Sequence, residues 1–127
     1  MVRLLWVSLG GALGTGARFL LGNLILNALG ASFPLHTLAV NTIGSFLISV
    51  IGQVGAYSDL LSPETRLFLT TGVLGGFTTY SSFKYETLAQ CQQGAWASGI
   101  ANILVTVAAC LVAGVLGVAA ARLIVGR

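Results

Sequence analysis

The twelve residues GVLGGFTTYSSF, Gly72 to Phe83, decide how this chain is read. They lie inside an apolar stretch, Leu67 to Leu88, long enough to cross a bilayer, yet they are poorly suited to a continuous helix. Gly72, Gly75 and Gly76 fall within five positions, each costing up to ~1 kcal/mol relative to Ala, and β-branched Thr78 and Thr79 follow. The pattern predicts a helix broken near Gly75. Unwound backbone at membrane depth persists only where protein buries it or an ion uses it, and freed carbonyls suit a small cation such as a structural sodium ion. Beyond the break, Tyr80 and Phe83 are three apart and share a helical face, with Ser81 and Ser82 between them. Aromatic ring edges are partly positive and attract a small anion weakly; simple packing explains such a pair equally well.

Three further apolar stretches reach the ~20 residues a spanning helix needs: Leu4 to Asn27, Thr37 to Ala56, and Trp96 to Val125. The 127 residues are 7 % charged and 56 % hydrophobic, where a soluble domain carries about a quarter charged. The prediction is an all-α membrane protein, residues 1–127 forming one unit of four transmembrane helices with the third broken. Arg18 interrupts the apolar core of the first stretch and three spans follow it, so that stretch reads as a retained helix rather than a leader. A net charge of +3 without a basic cluster gives no nucleic-acid footprint. Cys91 and Cys110 have neither CxxC spacing nor neighbouring His and read as small buried hydrophobes. With one His and three acids, no nucleophile, base and oxyanion set can be assembled, so the chain is not read as an enzyme.

The links carry their own signals. Gly30 and Pro34 mark a turn, Ser62 and Pro63 a helix cap and first helical position, and CQQGA, Cys91 to Ala95, a turn tight enough to make its flanking helices antiparallel neighbours. His36, at a helix entrance, reads as interfacial. Arg3, Arg66, Arg122 and Arg127 fall on the N-terminal side against Arg18 and Lys84 for the other, which favours cytoplasmic termini. Gly10 and Gly14, Gly72 and Gly76, and the run Gly44, Ser45, Ser49 and Gly52 permit close backbone packing and oligomerisation.

Polar residues inside these spans need protein, water or a ligand. Thr37, Asn41 and Ser45 recur every four residues, as do Asn102, Thr106 and Cys110, and each set makes a narrow stripe. Neutral donors without a buried carboxylate point to an anion, Asn41 offering an N–H₂ and Thr37 and Thr106 hydroxyls. The alternative is internal: hydroxyls bonding carbonyls of their own helix, asparagines bonding neighbouring helices. Arg18 and Glu86 are costly in a span, at least ~2.5–3.5 kcal/mol each. Arg18 either snorkels to an interface or bounds an anion vestibule; Glu86 is expected to neutralise Lys84 or Arg18.

Taken together, GGALGTGAR (Gly10 to Arg18), NTIGSF (Asn41 to Phe46) and GVLGGFTTYSSF followed by Glu86 resemble the Fluc (CrcB) fluoride channels of microbes, along the whole chain. The resemblance implies an antiparallel, dual-topology homodimer in the cell (inner or plasma) membrane, with two narrow fluoride pathways and a structural sodium ion at its centre. Its implied role is passive fluoride export that protects the cell. Gly75 and Thr78 would give backbone carbonyls to sodium, Asn41 its amide to fluoride, and Phe83 a ring edge to the pore. Tyr80 stands at the first of two positions where the family usually has Phe, and Ser82 would be a pore hydroxyl. Thr106 and Cys110 align with polar pore-lining positions, and Thr37 joins them from its stripe. Arg18 and Glu86 match polar positions near the vestibule and the end of the third helix. The chain departs from the family pattern at Tyr80, Lys84 and Cys110. A small dual-topology multidrug exporter needs a carboxylate in its first helix, where this chain has Arg18. A non-transporting assembly subunit would need no such third-helix motif.

Overall fold

The computed structural model describes residues 1–126; Arg127, counted above in the charge bias, lies outside the described residues. The elements are α1 (Val2–Leu29), α2 (Leu35–Tyr57), α3 (Pro63–Leu67), a π-helical stretch (Phe68–Leu74), α4 (Gly75–Phe77), α5 (Tyr80–Gln92) and α6 (Trp96–Val125). The described residues contain no strand. Helices α1, α2 and α6 are long and apolar enough to cross a membrane. The segment from Pro63 to Gln92 is assembled from shorter pieces.

Local chemistry sets the ends. Gly30 ends α1 at φ +78°, a conformation favouring glycine. Ser62 Oγ accepts the Thr65 N–H at 3.1 Å, and Pro63 occupies the first position of α3. After α5, Gly94 at φ +81° lets the Ala95 N–H reach the Gln90 carbonyl at 2.9 Å and its own N–H reach the Cys91 carbonyl at 3.0 Å. That turn folds α6 back against α5.

The two GxxxG motifs face each other within the chain. A Cβ on Gly10 would stand 2.9 Å from the Phe68 carbonyl oxygen, and one on Gly14 would collide with the Val73 carbonyl. On the facing side, a Cβ on Gly76 would collide with the Gly11 carbonyl. These glycines therefore let α1 lie directly on the π-helical stretch and α4, and their close approach is used within the chain. Helix α2 packs along α6 in the same manner, with Gly117 beneath the Phe46 carbonyl. Val40, Leu74 and Phe77 form the core between these pairs, with Leu21 and Ile51 against them. Leu9, Leu13, Leu20 and Leu24 of α1 and Leu104, Leu111 and Val115 of α6 point outward, as a lipid-facing surface requires.

The break falls three residues later than the glycines suggested. Gly75 is helical, at φ −61° and ψ −38°, whereas Thr78 and Thr79 are extended, at ψ 160° and 112°. The glycines are held helical by their contact with α1, and their looseness appears instead as the π-helical stretch, where the Gly75 N–H reaches back to Thr70.

Candidate functional site

Asn41 of α2 holds the break open. Its Nδ2 donates to the Thr79 carbonyl at 2.9 Å, and its Oδ1 accepts the Thr79 N–H at 2.8 Å, so one side chain satisfies both backbone groups that a helix would have paired. In a continuous helix that N–H would serve the Gly75 carbonyl, which thereby loses its helical donor while Gly75 remains exposed. The Thr78 carbonyl accepts Arg18 Nη1 from α1 at 3.2 Å. Thr79 then caps α5: its Oγ1 accepts the Ser82 N–H at 3.1 Å and donates to Ser82 Oγ at 3.0 Å.

Two grooves flank Thr79. The larger, about 410 Å³, is lined by Asn41, Ser45, Tyr80, Phe83, Thr106 and Cys110 and, among the described residues, contains no charged side chain. The Tyr80 and Phe83 rings meet there, centroids 5.8 Å apart and planes inclined at 51°, with Tyr80 77 % exposed. Several hydroxyl protons are already committed. Ser45 donates to the Asn41 carbonyl at 2.7 Å, and Thr106 to Asn102 Oδ1 at 3.2 Å, while Asn102 Nδ2 donates to Thr87 Oγ1 at 2.9 Å. The donors left for this groove are the second N–H of Asn41, the Cys110 thiol, the Tyr80 hydroxyl and the ring edges.

The smaller groove, about 300 Å³, lies between α1, α2 and the start of α5 and is lined by Arg18, Asn23, His36, Thr37 and Ser82. The pore residues named from sequence thus divide: Asn41, Tyr80, Phe83, Thr106 and Cys110 on one side, Thr37 and Ser82 with Arg18 on the other. A four-residue step along an α-helix overshoots a full turn by about 40°, so the stripe that begins at Thr37 rotates from one groove to the other.

Glu86 pairs with neither Lys84 nor Arg18. Its Oε1 accepts Thr37 Oγ1 at 2.7 Å and faces His36 Nε2 at 3.1 Å. Lys84 stands two residues from Glu86 on α5, too few to share a face, and it is exposed. Arg18 is turned to the Thr78 carbonyl. His36, at the entrance of α2, is held between helices, with side-chain exposures of 28 % for it and 21 % for Glu86. From the sequence Thr79 was read only as a β-branched residue after the glycines, not as a cap. A signal existed, because Thr is a favoured cap and a Ser stands three positions on. For the pairing of positions 36 and 86 no local signal exists.

The sequence has relatives among known proteins. Residues 5–118 match the family model described as CrcB-like protein, Camphor Resistance (CrcB). The chain belongs to the CrcB family. A CrcB relative from Sorangium cellulosum, named fluoride-specific ion channel FluC, is 55 % identical over 99 % of this chain and 100 % of its own length. A protein of the same name from Anaeromyxobacter sp. is 55 % identical over 89 % of this chain and 90 % of its own. Another, from Geobacter sulfurreducens, is 45 % identical over 96 % and 98 %. With three apolar helices of spanning length, this CrcB protein is a multi-pass integral membrane protein.

Proposed function

We propose that the chain is one subunit of a fluoride-selective channel that lets fluoride leave the cytoplasm passively, and that it is not an enzyme. The observation that carries this reading is the uncharged groove beside the break. Fluoride is small and strongly hydrated, and replacing its water requires donors; a full positive charge in the narrow part would hold it too tightly to conduct. Asn41 supplies an N–H on the rigid clamp, Tyr80 and Phe83 supply ring edges, and Cys110 and Thr106 line the wall opposite. Arg18 stands in the neighbouring groove, where a cation concentrates anions without sitting in their path. The names of relatives at up to 55 % identity over the full chain support the same ion.

The Pro63–Gln92 segment is read as the fourth membrane crossing, broken at its middle. The uncharged groove is open to the outside of the chain, so an antiparallel second copy is the proposed partner that closes it, giving one pathway beside each Asn41 and two in all. The donor set fits a structural sodium ion in part: Gly75 and Thr78 carry backbone carbonyl oxygens, hard ligands suited to it, the Gly75 oxygen lacks its helical donor, and the Thr78 oxygen, which accepts Arg18 Nη1 at 3.2 Å, has its second lone pair left. Two oxygens from one chain do not complete a shell, and a symmetric copy would supply further ones. Bound there, the ion would contribute positive charge and tie two broken segments together.

The test is flux. The purified protein, reconstituted into vesicles loaded with potassium fluoride, should release fluoride to an electrode when valinomycin is added, and should release chloride far more slowly. Absence of fluoride release, or equal release of both halides, would overturn the reading.

A further inference from the structure

His36 stands where three helices meet. It is the second residue of α2, and its ring lies over Gly22 of α1, where a Cβ would come 3.9 Å from its Cδ2. Its Nε2 lies 3.1 Å from Glu86 Oε1 of α5. The ring lines the smaller groove, where Arg18 is the charged lining residue among the described residues. Arg18 from α1 and Glu86 from α5 are the charged groups facing it; Lys84 and Tyr85 of α5 are exposed and outside that groove.

Two buried polar atoms at this junction have no hydrogen-bond partner: His36 Nδ1 and Glu86 Oε2. Buried groups are nearly always paired, so two orphans on contacting residues mark a place where the chain's own atoms do not complete the chemistry. With a neutral ring, Nε2–H donates to Glu86 and Nδ1 is a bare lone pair, while the charges of Arg18 and Glu86 cancel. With an imidazolium, both nitrogens are donors. Glu86 then gains a counter-charge, the groove carries one net positive charge, and Nδ1–H calls for an acceptor. The added positive charge draws a small anion into the groove beside Arg18. Histidine is the side chain whose ordinary charge change falls between about pH 5 and 8.

We propose that His36 is a positioning residue of the anion pathway, and that its protonation neutralises Glu86 and strengthens the capture of a small anion beside Arg18. The proposal rests on the fluoride reading. Acid therefore speeds anion passage; at alkaline pH the Glu86 carboxylate, without a charged partner, offsets the pull of Arg18.

The experiment measures fluoride efflux from vesicles holding the full-length protein, with equal pH on both sides, stepped from about 8 to about 5.5, subtracting protein-free vesicles to remove leak of hydrogen fluoride. Wild-type flux should rise about three- to tenfold, the effect of one added charge several ångströms from the ion at a dielectric between those of water and a protein surface. His36→Gln, which keeps a donor and cannot titrate in this range, should give a flat profile. His36→Lys, permanently charged, should be flat and higher than His36→Gln. If His36→Gln does not survive purification, His36→Lys carries the test. A variant whose profile is as steep as wild type overturns the proposal while leaving the channel reading intact. No flux in the wild type at any pH overturns the channel reading and this proposal with it.

Discussion

Asn41→Ala should loosen the break before it does anything to the anion. Asn41 makes two bonds to Thr79, at 2.8 and 2.9 Å, and both Thr79 partners are backbone groups of a buried residue. Truncation leaves that N–H and that carbonyl unpaired. Hydrogen bonds between membrane helices average about 0.6 kcal/mol, which sets a floor near 1 kcal/mol for the two. Stranding a buried polar group costs about 1–3 kcal/mol, which sets a ceiling near 6 kcal/mol for the two if water does not enter. The larger groove borders Thr79 and admits some water, so about 2 kcal/mol is expected. In detergent this should appear as a lower unfolding midpoint and faster hydrogen exchange at Thr79 and Tyr80. Fluoride flux, measured on the fraction still folded, should fall as well. If Asn41→Ala lost flux with an unchanged unfolding midpoint, the clamp would be a minor role and the reasoning from those two bonds would be refuted.

Gly14→Val should destabilise the fold by at least about 1–3 kcal/mol, because its side chain meets the Val73 carbonyl rather than a movable side chain. Gly16→Ala, where nothing lies within 4 Å, should be neutral or stabilise by up to about 1 kcal/mol; equal unfolding midpoints for the two variants would contradict the packing described. Thr79→Val keeps the extended shape and removes the cap on the Ser82 N–H, costing about 1 kcal/mol, read as fraying of α5 in hydrogen exchange. Purification without sodium or lithium should lower both thermal stability and flux, and restored sodium should recover them; indifference of both readouts would exclude Gly75 and Thr78 as its ligands.

Much of the architecture was legible because it is written locally. Apolar length marks α1, α2 and α6, and Ser62, Pro63 and Gly94 act on neighbours within a few residues. The GxxxG motifs announced close packing, but a spacing rule does not name the partner, and here each motif is the other's. The position of the break was less legible for a related reason. Glycine content reports what a helix costs in isolation, whereas the backbone opens where something else accepts its groups. Asn41, thirty-eight residues away, does so at Thr79. Glu86 illustrates the same limit, since its partners Thr37 and His36 come from another helix and could not be chosen over Lys84 by proximity in sequence.

The break therefore belongs as much to α2 and α1 as to the segment that contains it. Asn41 fixes Thr79, Arg18 takes the Thr78 carbonyl, and Thr79 borders both grooves at once. A shift of α2 along its axis would move the clamp, the cap of α5 and the wall of the larger groove together. The same shift would carry Thr37, and with it the carboxylate of Glu86, across the smaller groove. Substitutions at Gly75 should consequently alter how its carbonyl is presented without relocating the break, whereas substitutions at Asn41 should relocate it. That separates the proposed cation site, set by backbone conformation, from the proposed anion path, set by side chains of three different helices.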